Sequence, residues 1–173
     1  MEAAEVTSDP ITLMIEVIKE NSPNSIWLGS PLESFRSVAN TNRGDIGEEF
    51  VPRYLADSSV HAEKAESRNG EWDLKISGHK FEVKTASEDT GGAFQFNHIR
   101  LDRKYQFLLC LAVRPRELLF GIWSKGEVAE GKAGTLVRMA EGQSITFKLT
   151  KKQSQLAPIA GLAQAVTQRV GVQ

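Results

Sequence analysis

Cysteine is nearly absent. Cys110 is the only one in 173 residues, which excludes a disulfide framework and a thiolate zinc site. Long apolar runs are missing too: the longest, Phe107 to Val113, spans seven residues, far short of the roughly 20 that cross a bilayer, so no membrane partner is expected. Met1 to Glu5 is acidic and lacks the basic and apolar regions of a secretory leader. Together with the single cysteine, this points to a reducing cytoplasm. Nor does one sign of charge dominate. Lys and Arg total 21 against 22 Asp and Glu, a net charge of -1, so the overall balance does not advertise a nucleic-acid partner, although a local basic face can coexist with acids elsewhere. No internal repeat and no low-complexity tract interrupts the chain.

What is present reads as one globular domain over 1–173. The 40% hydrophobic and 25% charged residues suffice for a sizeable core. Asp9-Pro10 followed by Ile11, Met14, Ile15 and Ile18 predicts a capped amphipathic helix that stops near Ser22-Pro23. Residues 22–42, rich in Ser, Pro and Asn, read as irregular with a short helical turn around 32–38, and Asp45 to Leu55 as a second helix. Two alternating strands, Trp72 to Ser77 and Phe81 to Lys84, flank a Gly78-His79 turn, and residues 85–93 form a polar loop. Buried strands follow at Tyr105 to Val113 and Leu118 to Trp123, then a strand at Ser144 to Leu149 and an Ala/Gln-rich helix from Ser154 to Val170. Lys148, Lys151 and Lys152 read as a solvated strand end. The expected fold is α/β or α+β, a mixed central sheet flanked by helices.

The chemistry concentrates between Asn69 and Ser87, NGEWDLKISGHKFEVKTAS. Side chains alternate faces along a strand. Trp72, Leu74 and Ile76 therefore share one face of the first strand, and Phe81 and Val83 one face of the second. If both apolar sets meet the same core, Asp73, Glu82 and Lys84 project together from the other side. Two carboxylates with a lysine beside them on rigid sheet make a hard-oxygen site for Mg²⁺ with a cationic partner. Cys110, inside an apolar run, reads as a small buried hydrophobe.

Asp73, eight intervening residues, then Glu82-Val83-Lys84 resembles the D…(D/E)-x-K signature of the PD-(D/E)XK nuclease superfamily, which includes many type II restriction endonucleases. The resemblance covers roughly Arg43 to Val113, with Trp72 in place of the family's proline. It implies a restriction-endonuclease-like fold in which Asp73 and Glu82 bind Mg²⁺ and Lys84 serves the attacking water and the phosphate. A helical acidic residue often completes such a site, and Gly44-Asp45-Ile46-Gly47-Glu48-Glu49 is similar to that element. Stepping ~100° per residue from Ile46 leaves Glu48 nearer the edge of the apolar face than Glu49, so Glu48 is preferred over Glu49.

Downstream, Gln95 stands where many members of the superfamily place a supporting polar residue. Asn97, His98, Arg100, Arg103 and Lys104 could contact phosphates or base edges of double-stranded DNA. From Gln95 to Arg116 five Lys/Arg stand against two acids, counting Glu117 at the fringe with Asp102, a local basic excess that the net charge conceals. The leading expectation is a Mg²⁺-dependent, sequence-specific endonuclease of the restriction type, working as a homodimer on a symmetric site. A repair, recombination or toxin nuclease of the same fold, and a non-catalytic nucleic-acid-binding domain, stay open beside it.

Overall fold

A computed structural model describes residues 9–21, 25–66, 70–139 and 144–171. The Asp9 carboxylate accepts the Thr12 N–H at 3.0 Å and starts helix α1, Pro10–Asn21. Its apolar stripe of Ile11, Met14, Ile15 and Ile18 stays exposed, and no α1 residue is buried. The pattern of an amphipathic helix is there without a core face to bury it; the expected stop at Ser22-Pro23 lies outside the described residues. Trp27 and Phe35 then pack against Val113, and a 3₁₀ turn forms at Glu33–Ser37.

Helix α2, Asn40–Ala56, begins ahead of the expected Asp45. Asn, Thr and Gly are poor helix formers, so propensity hides its first turn, which the N–H groups of Asn42 and Arg43 close onto the Ala39 carbonyl. Farther along, Val51 and Leu55 are wholly buried and anchor the helix to the sheet.

Among the described residues nine strands follow: β1 Ala62–Lys64, β2 Leu74–Ile76, β3 His79–Ser87, β4 Ala93–Ile99, β5 Phe107–Val113, β6 Leu118–Ser124, β7 Leu136–Met139, β8 Thr146–Lys152 and β9 Ala157–Pro158. Short helix α3, Lys125–Ala129, follows β6, and α4, Leu162–Gly171, ends the described chain. The fold is mixed α+β, but with two sheets where the sequence suggested one. The larger runs β1-β2-β3-β5-β6-β9, with β3 and β5 parallel and the other pairs antiparallel; the smaller is antiparallel, β4-β8-β7. The second sheet exists because β4 and β8 carry their own apolar faces. Phe94, Phe96, Ile99 and Leu149 cover Leu108, Cys110 and Ala112 on one side of β5. Helices α2 and α4 cover Phe81, Val83, Leu109 and Ile122 on the other. Burial on both faces accounts for the uninterrupted apolar run of β5.

Three further expectations change. The first hairpin strand begins at Leu74, and Trp72 joins the core under the second sheet while Leu74 and Ile76 join the helical side. The cause is Asp73, whose N–H donates to the Phe81 carbonyl and whose Oδ2 accepts the Val83 N–H at 2.8 Å. A side chain replaces a main-chain acceptor there, and regular pairing ends. The last helix begins at Leu162, not Ser154, because Ala157 and Pro158 pair with Phe120 and Leu119 at the edge of the sheet, an edge where proline forfeits no ladder bond. Lys151 is buried and not solvated: its ammonium donates to the Ala133 carbonyl and lies 5.0 Å from the Trp123 ring centroid.

Helix α2 crosses β3 at Gly47, where a methyl group would fall 2.0 Å from Thr85 Oγ1. Threonine is stiff at χ1, so the clash has no cheap escape. Gly47→Ala is expected to destabilise the protein by about 1–3 kcal/mol, despite the better helix propensity of alanine. Because the Thr85 hydroxyl is buried without a hydrogen-bond partner, adding Thr85→Ala should restore most of that loss. Urea denaturation of the two single variants and the double variant measures this; a double variant as unstable as Gly47→Ala would show that close approach is not what Gly47 provides.

Candidate active site

Helix α2, the start of β2, β3 and β4 enclose a cleft of about 570 Å³. Glu82 and Lys84 alternate to the face of β3 opposite Phe81 and Val83. The Glu82 side chain has no exposed surface, and its Oε1 accepts a bond from Lys84 Nζ at 2.9 Å. Arg103, in the connection between β4 and β5, brings Nη1 to 3.4 Å from Glu82 Oε2 and 3.9 Å from Asp73 Oδ1. Two carboxylates from adjacent elements thus converge on one cationic nitrogen.

The electrostatics follow from burial and crowding. Burial raises the Asp73 carboxyl above its ordinary range and the neighbouring Glu82 adds to the rise; the Val83 N–H, Lys84 and Arg103 pull the other way. Glu48 faces the same cleft from α2. Burial, seconded by the Asp73 charge, pushes its carboxyl up to about 7. Glu49 points elsewhere: it pairs with Lys64 at 2.7 Å and Arg53 at 3.3 Å, and its bond with Lys64 holds its carboxyl below the usual range.

The cleft gathers most of the residues singled out in the sequence. Gln95, Asn97 and His98 line it from β4, where a register shift between Phe96 and Ile99 leaves His98 at φ 57°. Arg103 turns inward onto the carboxylates. Three residues do not line it: Glu82 is wholly buried behind the wall, bonded to Lys84 and Arg103; Arg100 pairs with Asp102 and borders a separate cavity beside Phe147; and Lys104 is exposed, its N–H donating to Glu71. The sequence reading missed Arg36, Asn40, Arg43 and Ser87, which also line the cleft. Arg36 sits in the 3₁₀ turn and Arg43 in α2, so no single periodicity connects them. A larger cavity of about 940 Å³, walled by Phe107, Phe120, Trp123 and Leu156, shares no residue with the cleft and holds none of its carboxylates.

The donor set fits Mg²⁺. That ion keeps several waters and takes one or two protein carboxylates together with phosphate oxygens; Asp73 on the cleft wall and the buried Glu82 behind it share one cation position, which the Arg103 guanidinium fills and a metal ion would have to take over. A complete protein cage is not what they form: the described residues contain no group of three His, Cys, Asp or Glu side chains arranged to hold a metal.

No family model matches the chain, and no curated protein matches it in sequence. Among solved structures it is similar to a bacterial homing endonuclease, I-Ssp6803I, at 14% identity and a TM-score of 0.47, over 79% of this chain and 98% of that one.

The raised Glu48 carboxyl has a measurable consequence for the metal-free protein. A folded-state value of about 7 against an ordinary 4.5 means that the folded chain holds this proton more tightly than the unfolded chain does. The resulting stability is present below about pH 4.5 and is lost as pH rises through about 7. Glu48→Gln removes that dependence, so its stability relative to wild type should rise between about pH 5 and about pH 8. Urea midpoints in the presence of EDTA measure it, and a pH-independent difference would remove the assignment.

Proposed function

We propose that this cleft is the active site of a Mg²⁺-dependent endodeoxyribonuclease of the PD-(D/E)XK kind, cutting both strands of DNA at a specific sequence as type II restriction enzymes do. The observation that carries the reading is the convergence of Asp73 and Glu82 on one cation position, with Lys84 bonded to Glu82. Asp73 and Glu82 would hold the ion, which when bound lowers the pKa of a water and stabilises charge growing on the phosphate. Lys84, fixed by Glu82, orients the attacking water and offsets phosphate charge. Glu48, with its carboxyl at about 7, can hold or release a proton near neutral pH. From the β4 wall Gln95 supports the site, and Asn97 and His98 offer polar groups to phosphates and base edges. Arg103 carries positive charge to the floor of the cleft. Arg100 and Lys104, outside it, meet DNA only beyond the cleft. Two copies about a two-fold axis would present one cleft to each strand of a symmetric site.

Incubating the purified protein with varied plasmid and phage DNAs, with Mg²⁺ or EDTA, tests this reading. Discrete fragments that require Mg²⁺ are expected. Lys84→Ala should keep DNA binding and lose at least 100-fold in cleavage, the order expected for a group acting on developing charge; cleavage by that variant at the wild-type rate would remove the mechanism. Smeared or junction-selective products would instead mark a repair or recombination nuclease. Binding with no cleavage under any divalent ion would mark a non-catalytic domain.

A further inference from the structure

At the other end of the cleft, two guanidinium groups meet on one neutral hydroxyl. Arg36 Nη1 donates to Ser87 Oγ at 3.3 Å and Arg43 Nη1 to the same oxygen at 3.4 Å. Like charges so close repel, and the Arg43 pKa is lowered by burial and by Arg36. Among the described residues neither guanidinium has an ion-pair partner within reach. Of the acids that line the cleft, Asp89 is committed elsewhere, accepting the Gly91 and Ala93 N–H groups at 2.9 Å each, and Glu48 and Asp73 have no ion pair with either guanidinium. Glu88, next to Ser87 in the chain, is paired with Arg114 at 2.8 Å.

The two arginines are not equivalent. Arg43 is braced: its Nε donates to the Val38 carbonyl at 3.1 Å, its Nη2 to the Arg36 carbonyl at 2.9 Å, and it lies over the Phe35 ring. Arg36 is exposed and makes the Ser87 bond alone, stacked 5.9 Å from the Trp27 ring centroid. Its remaining N–H groups form a planar fork of the kind that matches two phosphate oxygens. Asn40, the first residue of α2, lines the same wall; Ala39 before it has no side-chain oxygen to cap the first turn, whose Asn42 and Arg43 N–H groups bond its carbonyl. The whole wall is therefore donor-rich and unneutralised.

We propose that Arg36 and Arg43, with Asn40, bind a phosphodiester flanking the one that reacts at Asp73, Glu82 and Lys84. This rests on the nuclease reading and adds to it a phosphate subsite. Ser87 lies three residues beyond Lys84 along β3, about 10 Å at ~3.3 Å per residue; the odd spacing turns its side chain to the other face of the strand, but both residues line the same cleft, so a DNA strand laid along it would place a neighbouring phosphate there. Arg43 gives the subsite its fixed charge and Arg36 the fork that closes on the anion. Because such a contact neutralises a backbone charge, it contributes to binding without reading sequence.

The test measures binding of duplex DNA of mixed sequence by fluorescence anisotropy in Ca²⁺, from about 50 to about 200 mM salt. Wild type is compared with Arg36→Gln, Arg36→Lys and, as a control, Lys132→Gln, an exposed lysine outside the cleft lining that pairs with Glu130. Thermal melting confirms that each is folded; Arg36 rather than Arg43 is changed because Arg43 also braces the backbone. Arg36→Gln should weaken binding about tenfold and reduce the slope of log K against log salt by about 0.9. Arg36→Lys should weaken binding while keeping the slope, and Lys132→Gln should match wild type. A wild type that binds and cleaves DNA, with Arg36→Gln showing the same affinity and slope, would overturn the subsite and leave the nuclease reading intact. A wild type that neither binds nor cleaves DNA would overturn both.

Discussion

Burying the carboxylate of Glu82 without any exposed surface imposes most of the architecture around the cleft. An isolated ionised carboxylate in a protein interior is costly enough that it persists only when cations and donors surround it. One cation comes from the same strand: Lys84 is two residues on and so on the same face. The other must come from elsewhere, and Arg103 is supplied by the segment leading from β4 to β5. That segment is tied to β3 itself. The Gln106 N–H donates to the Lys80 carbonyl at 2.8 Å while its side-chain oxygen accepts the Lys80 N–H at 2.9 Å, and Lys125 caps the Arg103 carbonyl. The strand that carries the charge thus also anchors the loop that neutralises it. The second sheet then closes over the apolar remainder of that face.

The same dependence explains what a linear reading recovers. Asp73, Glu82 and Lys84 are close in sequence, and a period of two puts Glu82 and Lys84 on one face of β3; Asp73 lies just ahead of the regular strand, and its bond from the Val83 N–H holds it beside them. Helix α2 is long enough that the angular position of Glu48 relative to Glu49 could be worked out from one turn, and the structure puts Glu48 in the cleft and ties Glu49 to Lys64 and Arg53. Arg36 and Arg43 were invisible because their meeting point, Ser87, is 51 and 44 residues away, and only the docking of Trp27 and Phe35 on Val113 brings the 3₁₀ turn there. Lys151 misled for a related reason. On β8 it alternates inward with Leu149, and a lysine facing a core reads like a solvated one until the carbonyl and the indole ring that receive it are known. The division into two sheets was hidden as well, since alternation within a strand states which face is buried but not against what.

Charge is distributed unevenly along the cleft, and this bears on what can occupy it. At the floor, three carboxyl groups, of Glu48, Asp73 and Glu82, face two cations, Lys84 and Arg103. Burial first, and then the charge of neighbouring carboxylates, raises Glu48 and Asp73 against the pull of the cations around them. At the rim, Arg36 and Arg43 share a hydroxyl with no carboxylate between them. A polyanion alone would be attracted to the rim and repelled by the floor, and a cation alone would meet the reverse. Under the proposed nuclease reading, phosphate and a divalent ion arriving together would satisfy both ends at once, because an oxygen of the phosphate could approach the floor only where a cation stood between it and the carboxylates. Glu49, a turn-mate of Glu48 but already neutralised by Lys64 and Arg53, contributes nothing to this imbalance. The separation of an acidic floor from a basic rim, on elements fixed by the buried Glu82, is the physical feature that distinguishes this cleft from the larger apolar cavity elsewhere on the molecule.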